Sequence, residues 1–410
     1  MKRYIKRLMA EKLREALGVA PVVILTGARQ TGKTTLLSHE LPFRDWPMFT
    51  LDDPEILFLA KSRPRDIVNS HKKVVIDEVQ KAPELLSYIK MAVDKDRSRV
   101  FVLSGSANLL LMKNISESLA GRAIYLELLP FSLHEYLERP GAHWLSKLGS
   151  NGFDELPLAK PKKLEKLDHI LFRGLLPPVI HLKTENQTSL WWKGYIATYL
   201  ERDLRALSQV ADIGTFHRFM EILALRTGKI LKQSEAARDV GLSTATAGRY
   251  INLLETSCLY HRLRPFFRNL SKRLIKAPKG FFLDTGLVCA LSKIRMQNLL
   301  APEFKPQLFE TFVFHNLYTI TSHLGGNLYY FRTLGGKEIE VDFIVELDSQ
   351  LVALEVKDKR ELTAKDIRPL LQFSELVVEK EHVVLKGIIY SGDEFQNLPG
   401  GILAIPWFAL

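Results

Sequence analysis

Short runs of consecutive apolar residues, each ending in a glycine or in acidic or small polar residues, punctuate the first hundred positions. Pro21-Val22-Val23-Ile24-Leu25-Thr26 runs into Gly27, Lys73-Val74-Val75-Ile76 ends in Asp77-Glu78, and Arg99-Val100-Phe101-Val102-Leu103 ends in Ser104-Gly105. Runs without polar alternation predict strands covered on both faces, and the helical stretches between them predict a parallel sheet in an α/β fold. The first such helix starts near Lys33. Ahead of the first strand, MKRYIKRLMAEKLREALG mixes charge and apolar residues as an amphipathic helix does.

Beyond the sheet the pattern changes. Positions 140–166 are rich in Gly, Pro, Ser and Lys and predict a flexible boundary, followed by a helical segment. From Phe216 to Arg268 the chain reads as a small helical domain with two or three turns, and from Pro278 it regains strands with period-two alternation. No internal repeat is present. The expected divisions are 1–145, 146–214, 215–275 and 276–410. A chain of 410 residues supports several modules, because single domains mostly run to roughly 100–200 residues.

Composition changes the picture mainly through charge. The hydrophobic fraction of 46% and charged fraction of 25% are ordinary for a globular protein, but 57 Lys and Arg against 46 Asp and Glu leave +11. That excess favours a polyanionic partner such as DNA or another nucleic acid. Cys258 and Cys289 have no metal-like spacing, so neither zinc nor a disulfide framework is expected. With no signal-peptide pattern and no run of about 18 apolar residues, the expectation is a cytoplasmic protein without membrane contact.

Gly27-Ala28-Arg29-Gln30-Thr31-Gly32-Lys33-Thr34 fits GxxxxGK[ST] in full, between a predicted strand and a predicted helix. Such a loop wraps ATP phosphates in backbone N–H groups, with Thr35 just behind it in the helix. Lys33 would neutralise the β- and γ-phosphates, and Thr34 would ligate Mg2+. The strand ending in Asp77-Glu78 supplies two adjacent carboxylates, Asp77 for magnesium and Glu78 to polarise the attacking water. On the third strand Ser104, Ser106 or Asn108 could touch that water or the γ-phosphate. Arg122, following Gly121, is a candidate for reaching a nucleotide in cis or from a neighbouring subunit of a homo-oligomer.

Two further patterns lie downstream. Residues 230–243 and 244–255 read as two helices joined by a turn at Gly241, the second capped by Ser243, which is the helix-turn-helix arrangement. Thr244, Thr246 and Arg249 would face a DNA groove. Tyr260 to Phe267 would form a two-stranded wing, with Arg262, Arg264 and Arg268 toward phosphates. Nearer the end, Asp342 and Glu355-Val356-Lys357 have the spacing of restriction-like nucleases. There Asp342 and Glu355 would share a magnesium ion and Lys357 would activate water, with Glu310 on the preceding helix completing the set.

Taken together, GARQTGKTTLL, VVIDEVQKAPEL, VLSGSANLLLMK, ESLAGRAIYLELLPFSLHEYL and FRGLLP resemble a prokaryotic family of AAA-type ATPases. The resemblance covers nearly the whole chain. It implies an amino-terminal P-loop AAA-type ATPase domain joined to a carboxyl-terminal α/β domain of uncharacterised function with a restriction-endonuclease-like core; on the divisions above these are 1–145 and 276–410, with 146–214 a linker and helical lid and 215–275 the winged helix read from the two-helix pattern. In AAA-type ATPases the third strand carries the residue called sensor 1, a part open to Ser104 or Ser106. The expected function is Mg2+-dependent ATP hydrolysis linked to nucleic-acid contact. The alternative is a nucleotide-dependent switch or protein-interaction module whose nuclease-like fold is inactive.

Overall fold

The computed structural model describes residues 3–106, 119–139, 144–147, 161, 164–200, 212–267, 276–299, 303–333, 338–348, 350–377 and 383–410. Asn108 and Arg268 lie outside the described residues. In the first domain five parallel strands, β1 (Val22–Thr26), β2 (Met48–Thr50), β3 (Lys73–Asp77), β4 (Val100–Ser104) and β5 (Ala123–Glu127), lie in the order β2-β3-β4-β1-β5. Side chains alternate across this sheet. Val22, Ile24, Val74, Ile76, Phe101 and Leu103 face α3 (Pro54–Ser62), α4 (Pro64–Ser70) and α5 (Leu85–Lys95). On the other face Val23, Leu25, Val75 and Val102 meet α1 (Met9–Leu17) and α2 (Lys33–His39). Two covered faces explain why the strands read as unbroken apolar runs.

The amphipathic helix at the amino end is shorter than its pattern, because residues 3–7 are not helical. Arg7 is drawn instead into the protein. Its guanidinium donates to Glu135 Oε1 at 3.1 Å, the Thr31 carbonyl at 2.8 Å and the Leu129 carbonyl at 2.5 Å, and it lies over the Phe131 ring at 4.5 Å. Glu135 belongs to α6 (Leu133–Tyr136), whose capping box with Ser132 fixes that carboxylate.

The middle region is helical: α7 (Leu167–Arg173), α8 (Glu185–Tyr195), α9 (Ile213–Leu225), α10 (Gln233–Asp239) and α11 (Thr244–Thr256). Gly241 turns with φ +71° between α10 and α11, and the Ser243 hydroxyl accepts from the Thr246 N–H at 3.1 Å, as the sequence predicts. The strand after α11, β6 (Tyr260–Leu263), pairs antiparallel with β7 (Lys279–Phe282), which Ile230 also bridges. The second strand therefore falls past position 276, not within Tyr260–Phe267. A 15-residue connection separates the strands, so local sequence gives no hairpin signal for this partner.

After α12 (Thr285–Leu291) and α13 (Met296–Leu299), the last domain folds as a mixed six-stranded sheet. β8 (Asn327–Arg332), β9 (Glu340–Leu347), β10 (Gln350–Lys357), β11 (Val383–Tyr390), β12 (Gln396–Leu398) and β13 (Ile402–Pro406) take the order β12-β13-β11-β10-β9-β8. One face packs on α14 (Lys305–Leu324), the other on α15 (Ala364–Val377). Ala28 of the P-loop, the middle helices and α14 share one apolar cluster.

Arg7→Ala leaves a buried carboxylate and two loop carbonyls without their partner. It should cost about 3–5 kcal/mol, read as a lower midpoint of thermal or denaturant unfolding.

Candidate functional site

Parallel pairing brings the carboxyl ends of β1, β3 and β4 side by side, so the loops leaving them converge. Gly27 leaves β1 with φ +151°, and a Cβ there would stand 2.4 Å from the Leu128 carbonyl oxygen. Gly32, at φ +92°, turns the loop into α2. Lys33 folds back inside, its ammonium donating to the Gly27 and Ala28 carbonyls at 2.9 Å each. Burial pushes the Lys33 pKa down, against the opposing pull of Glu78. Thr31 is buried with its hydroxyl on the Ala28 carbonyl, whereas Arg29, Gln30, Thr34 and Thr35 are exposed.

Asp77 joins these loops. Its Oδ2 accepts from the Thr34 hydroxyl at 2.8 Å, and its Oδ1 accepts from Ser104 on β4. Glu78 follows in a left-handed conformation, φ +56°, which costs a non-glycine residue on the order of 1 kcal/mol or more. Burial raises its pKa, and the neighbouring Asp77 charge adds to the rise. Gln80 bridges Glu78 and the Ser106 hydroxyl, the latter at 3.1 Å. Ser104 thus addresses Asp77, while Ser106 reaches Glu78 only through Gln80.

A loop that exposes N–H groups, a lysine held by loop carbonyls, and a hydroxyl beside a carboxylate form a donor set that fits a magnesium-bound nucleoside triphosphate. Arg122 does not join it. The Arg122 carbonyl accepts from the Val22 N–H at the opposite end of β1, and its guanidinium grips Asp94 of α5, with the Nη2–Oδ2 contact at 3.0 Å. A five-residue strand separates it from the P-loop by about 17 Å, so it cannot serve a nucleotide in cis.

The middle region covers this site. The Tyr195 hydroxyl donates to the Arg29 carbonyl at 3.3 Å, and a Cβ on Gly32 would meet Pro177 at 3.7 Å. Cys258, two residues past α11, is buried in the electrostatic reach of Lys33 and Glu127, and its burial raises the thiol pKa. On the outer face Thr244, Ala245, Arg249 and Asn252 of α11 are exposed, while Thr246 is half-buried against Ser243 and Arg249. Arg262 is engaged within the chain, donating to Glu255 at 2.8 Å and Asn252 at 2.7 Å. Arg264 and Lys276 line a cleft of about 630 Å³ beside β6 and β8.

In the last domain the structure brings Glu310, Asp342, Glu355 and Lys357 together, and adds two residues that the sequence pattern did not single out. Lys279 of β7 places its ammonium 3.0 Å from Glu310, 2.7 Å from Glu340 and 3.6 Å from Asp342. Lys357 pairs with Glu355, and the Val356 N–H donates to Asp342 Oδ2 at 2.8 Å. Burial pushes Glu310 up to about 7 and Glu355 up to about 8. Burial alone would push the Lys279 pKa down, but the charges of Glu310, Asp342 and Glu340 more than reverse that. A magnesium ion shared by Asp342 and Glu355 does not fit this arrangement, because an ammonium already stands among the carboxylates. Among the described residues no group of three or more His, Cys, Asp or Glu is disposed to hold a metal.

Comparison with known proteins agrees with the fold of the first domain. Residues 19–137 match the family model of the AAA domain, residues 164–298 a domain of unknown function (DUF8612) and residues 305–410 another (DUF4143). The uncharacterized protein Rv2008c of Mycobacterium tuberculosis is 31% identical over 407 residues, 98% of this chain and 83% of its own. The chain belongs to its family. The uncharacterized protein MJ1544 of Methanocaldococcus jannaschii is 21% identical, over 92% of this chain and 84% of its own. Among solved structures, the Walker-type ATPase paby2304 of Pyrococcus abyssi aligns with 69% of this chain and 94% of its own at 18% identity and a TM-score of 0.45. With the AAA domain on its parallel five-stranded sheet, the first third of the chain is a P-loop ATPase domain, and no helix among the described residues is long and apolar enough to cross a membrane.

Arg7, Gln80, Lys279 and Glu340 carry interactions that the motifs did not announce. Only Glu340 had a local signal, since Glu338-Ile-Glu340-Val-Asp342 alternates and puts Glu340 on the Asp342 face. The Gln80 amide favours the charged form of Glu78. Gln80→Ala should therefore move the Glu78 titration to higher pH, followed by carboxyl 13C NMR with the resonance assigned through Glu78→Gln.

Proposed function

We propose that the chain is a magnesium-dependent ATPase whose nucleotide state is transmitted to a nucleic-acid-contacting middle module. The observation that carries the first half is the hydrogen-bonded row Thr34–Asp77–Ser104 beside Glu78. Thr34 and Asp77 would hold Mg2+, and Lys33 would exchange the Gly27 and Ala28 carbonyls for phosphate oxygens. Magnesium with ATP supplies neutralisation of the charge on the transferring phosphoryl group. Glu78 would orient a water and accept its proton, which suits a carboxyl whose basicity burial raises. Gln80 would hold Glu78 in place, and Ser104 would fix Asp77.

The second half rests on the path from Lys33 to α11. Cys258 follows α11 and faces Lys33 and Glu127, so a change in what Lys33 holds is felt where that helix ends. The element order α9, the Ile230 bridge, α10, α11, β6, β7 supports a winged-helix reading, with Thr244 and Arg249 exposed at the amino half of α11 for a groove. The net charge of +11 and the basic side chains of Arg264 and Lys276 support a polyanionic partner. We propose no cleavage by the last domain, whose mixed sheet we read as restriction-endonuclease-like in form. A nucleotide-dependent switch without nucleic acid is favoured by one observation, that Arg262 is spent on Glu255.

Lys33→Ala should abolish turnover. Glu78→Gln should keep nucleotide binding and lower hydrolysis by a factor on the order of 10² to 10⁴, measured as phosphate release. The nucleic-acid reading predicts that duplex or single-stranded DNA raises the wild-type rate and that binding weakens steeply with salt, whereas a flat response in both favours the switch.

A further inference from the structure

The acidic centre of the last domain holds four carboxylates, Glu310, Glu340, Asp342 and Glu355, within reach of two lysines. Lys279 is the central one. Its side chain is only 4% exposed, and the ammonium lies within ion-pair distance of three carboxylates, Glu310, Glu340 and Asp342. The Tyr330 ring lies 5.6 Å from the same nitrogen. Its backbone is fixed as well, since β7 pairs with β6 along four residues and Lys279 itself bridges Ile230.

Two of these carboxylates have further partners. Asp342 uses its second oxygen for the Val356 N–H, and Glu355 is held by Lys357. A hard divalent ion demands several unengaged oxygens at roughly 2.0–2.6 Å. To enter, it would have to share a space a few ångström across with an ammonium of like charge, or displace that ammonium from its carboxylates and leave a buried charge unpaired, which is costly.

We propose that Lys279 is the resident cation of this centre: its ammonium occupies the place of a divalent metal, closes the site to metal ions and rivets the β6–β7 hairpin to the β9–β10 sheet and α14. The carboxylates that look catalytic in the sequence then serve as the socket for a lysine contributed from the middle module. Removing that one side chain should leave an acidic site with its cation missing, and so uncover an affinity for metal that the native chain lacks.

The test is Mn2+ titration of the nucleotide-free full-length protein, read by electron paramagnetic resonance, for the wild type, Asp342→Asn, Lys279→Met and Lys279→Met/Asp342→Asn. Wild type and Asp342→Asn should bind Mn2+ identically. Lys279→Met should gain one site, tighter by about a hundredfold or more, as expected on removing a unit positive charge a few ångström away. The added Asp342→Asn change should abolish that site. An Asp342-dependent Mn2+ site in the wild type would overturn the proposal, as would a folded Lys279→Met protein that gains none. Circular dichroism reports whether Lys279→Met folds. If it does not, the comparison of wild type with Asp342→Asn decides.

Discussion

Everything at the nucleotide end depends on where the Asp77 carboxylate is held. Three strands meet there, and the side chain accepts from Thr34 on the P-loop and from Ser104 on β4. Because Asp77 itself is buried, its hydrogen bonds must be made within the protein, and they fix the register between P-loop and sheet. Glu78 inherits its position from this arrangement. Its left-handed backbone is held between the end of β3 and the Gln80 bridge.

The rest of the chain closes over that point. Arg7 comes from before the first helix to hold the Thr31 carbonyl, Tyr195 reaches the Arg29 carbonyl, and Pro177 lies by Gly32. These contacts hold the phosphate loop from three sides, and a loop held in place costs less to organise around a ligand. The middle helices share a core with Ala28 on one side and α14 on the other, the packing through which the proposed coupling would run. At the far end the Lys279 cluster ties hairpin to sheet by charge where apolar packing does the same work elsewhere.

What could be read from sequence follows from how local each cause is. β1, β3 and β4 announced themselves because burial on two faces demands unbroken apolar runs, and the P-loop because its chemistry is written in eight consecutive residues. α10 and α11 were legible through Gly241 and the Ser243 cap. Lys279 was not, since its partners lie 31, 61 and 63 positions away. Arg122 looked like an arginine aimed at phosphate because motif order does not say which end of a strand a residue occupies. The strand partner of β6 was misplaced for a similar reason, a long connection with no turn signal of its own.

In the proposed function the nucleotide state set at Asp77 and Lys33 reaches the α11 surface. The most direct measurement is the DNA affinity of Glu78→Gln, by fluorescence anisotropy at fixed salt, with ATP–Mg2+, with ADP–Mg2+ and without nucleotide. ATP should change the affinity relative to ADP, and Lys33→Ala in the same background should remove the difference, because coupling between two ligands is reciprocal. Equal affinities in all three states, with nucleotide shown to be bound, would contradict it.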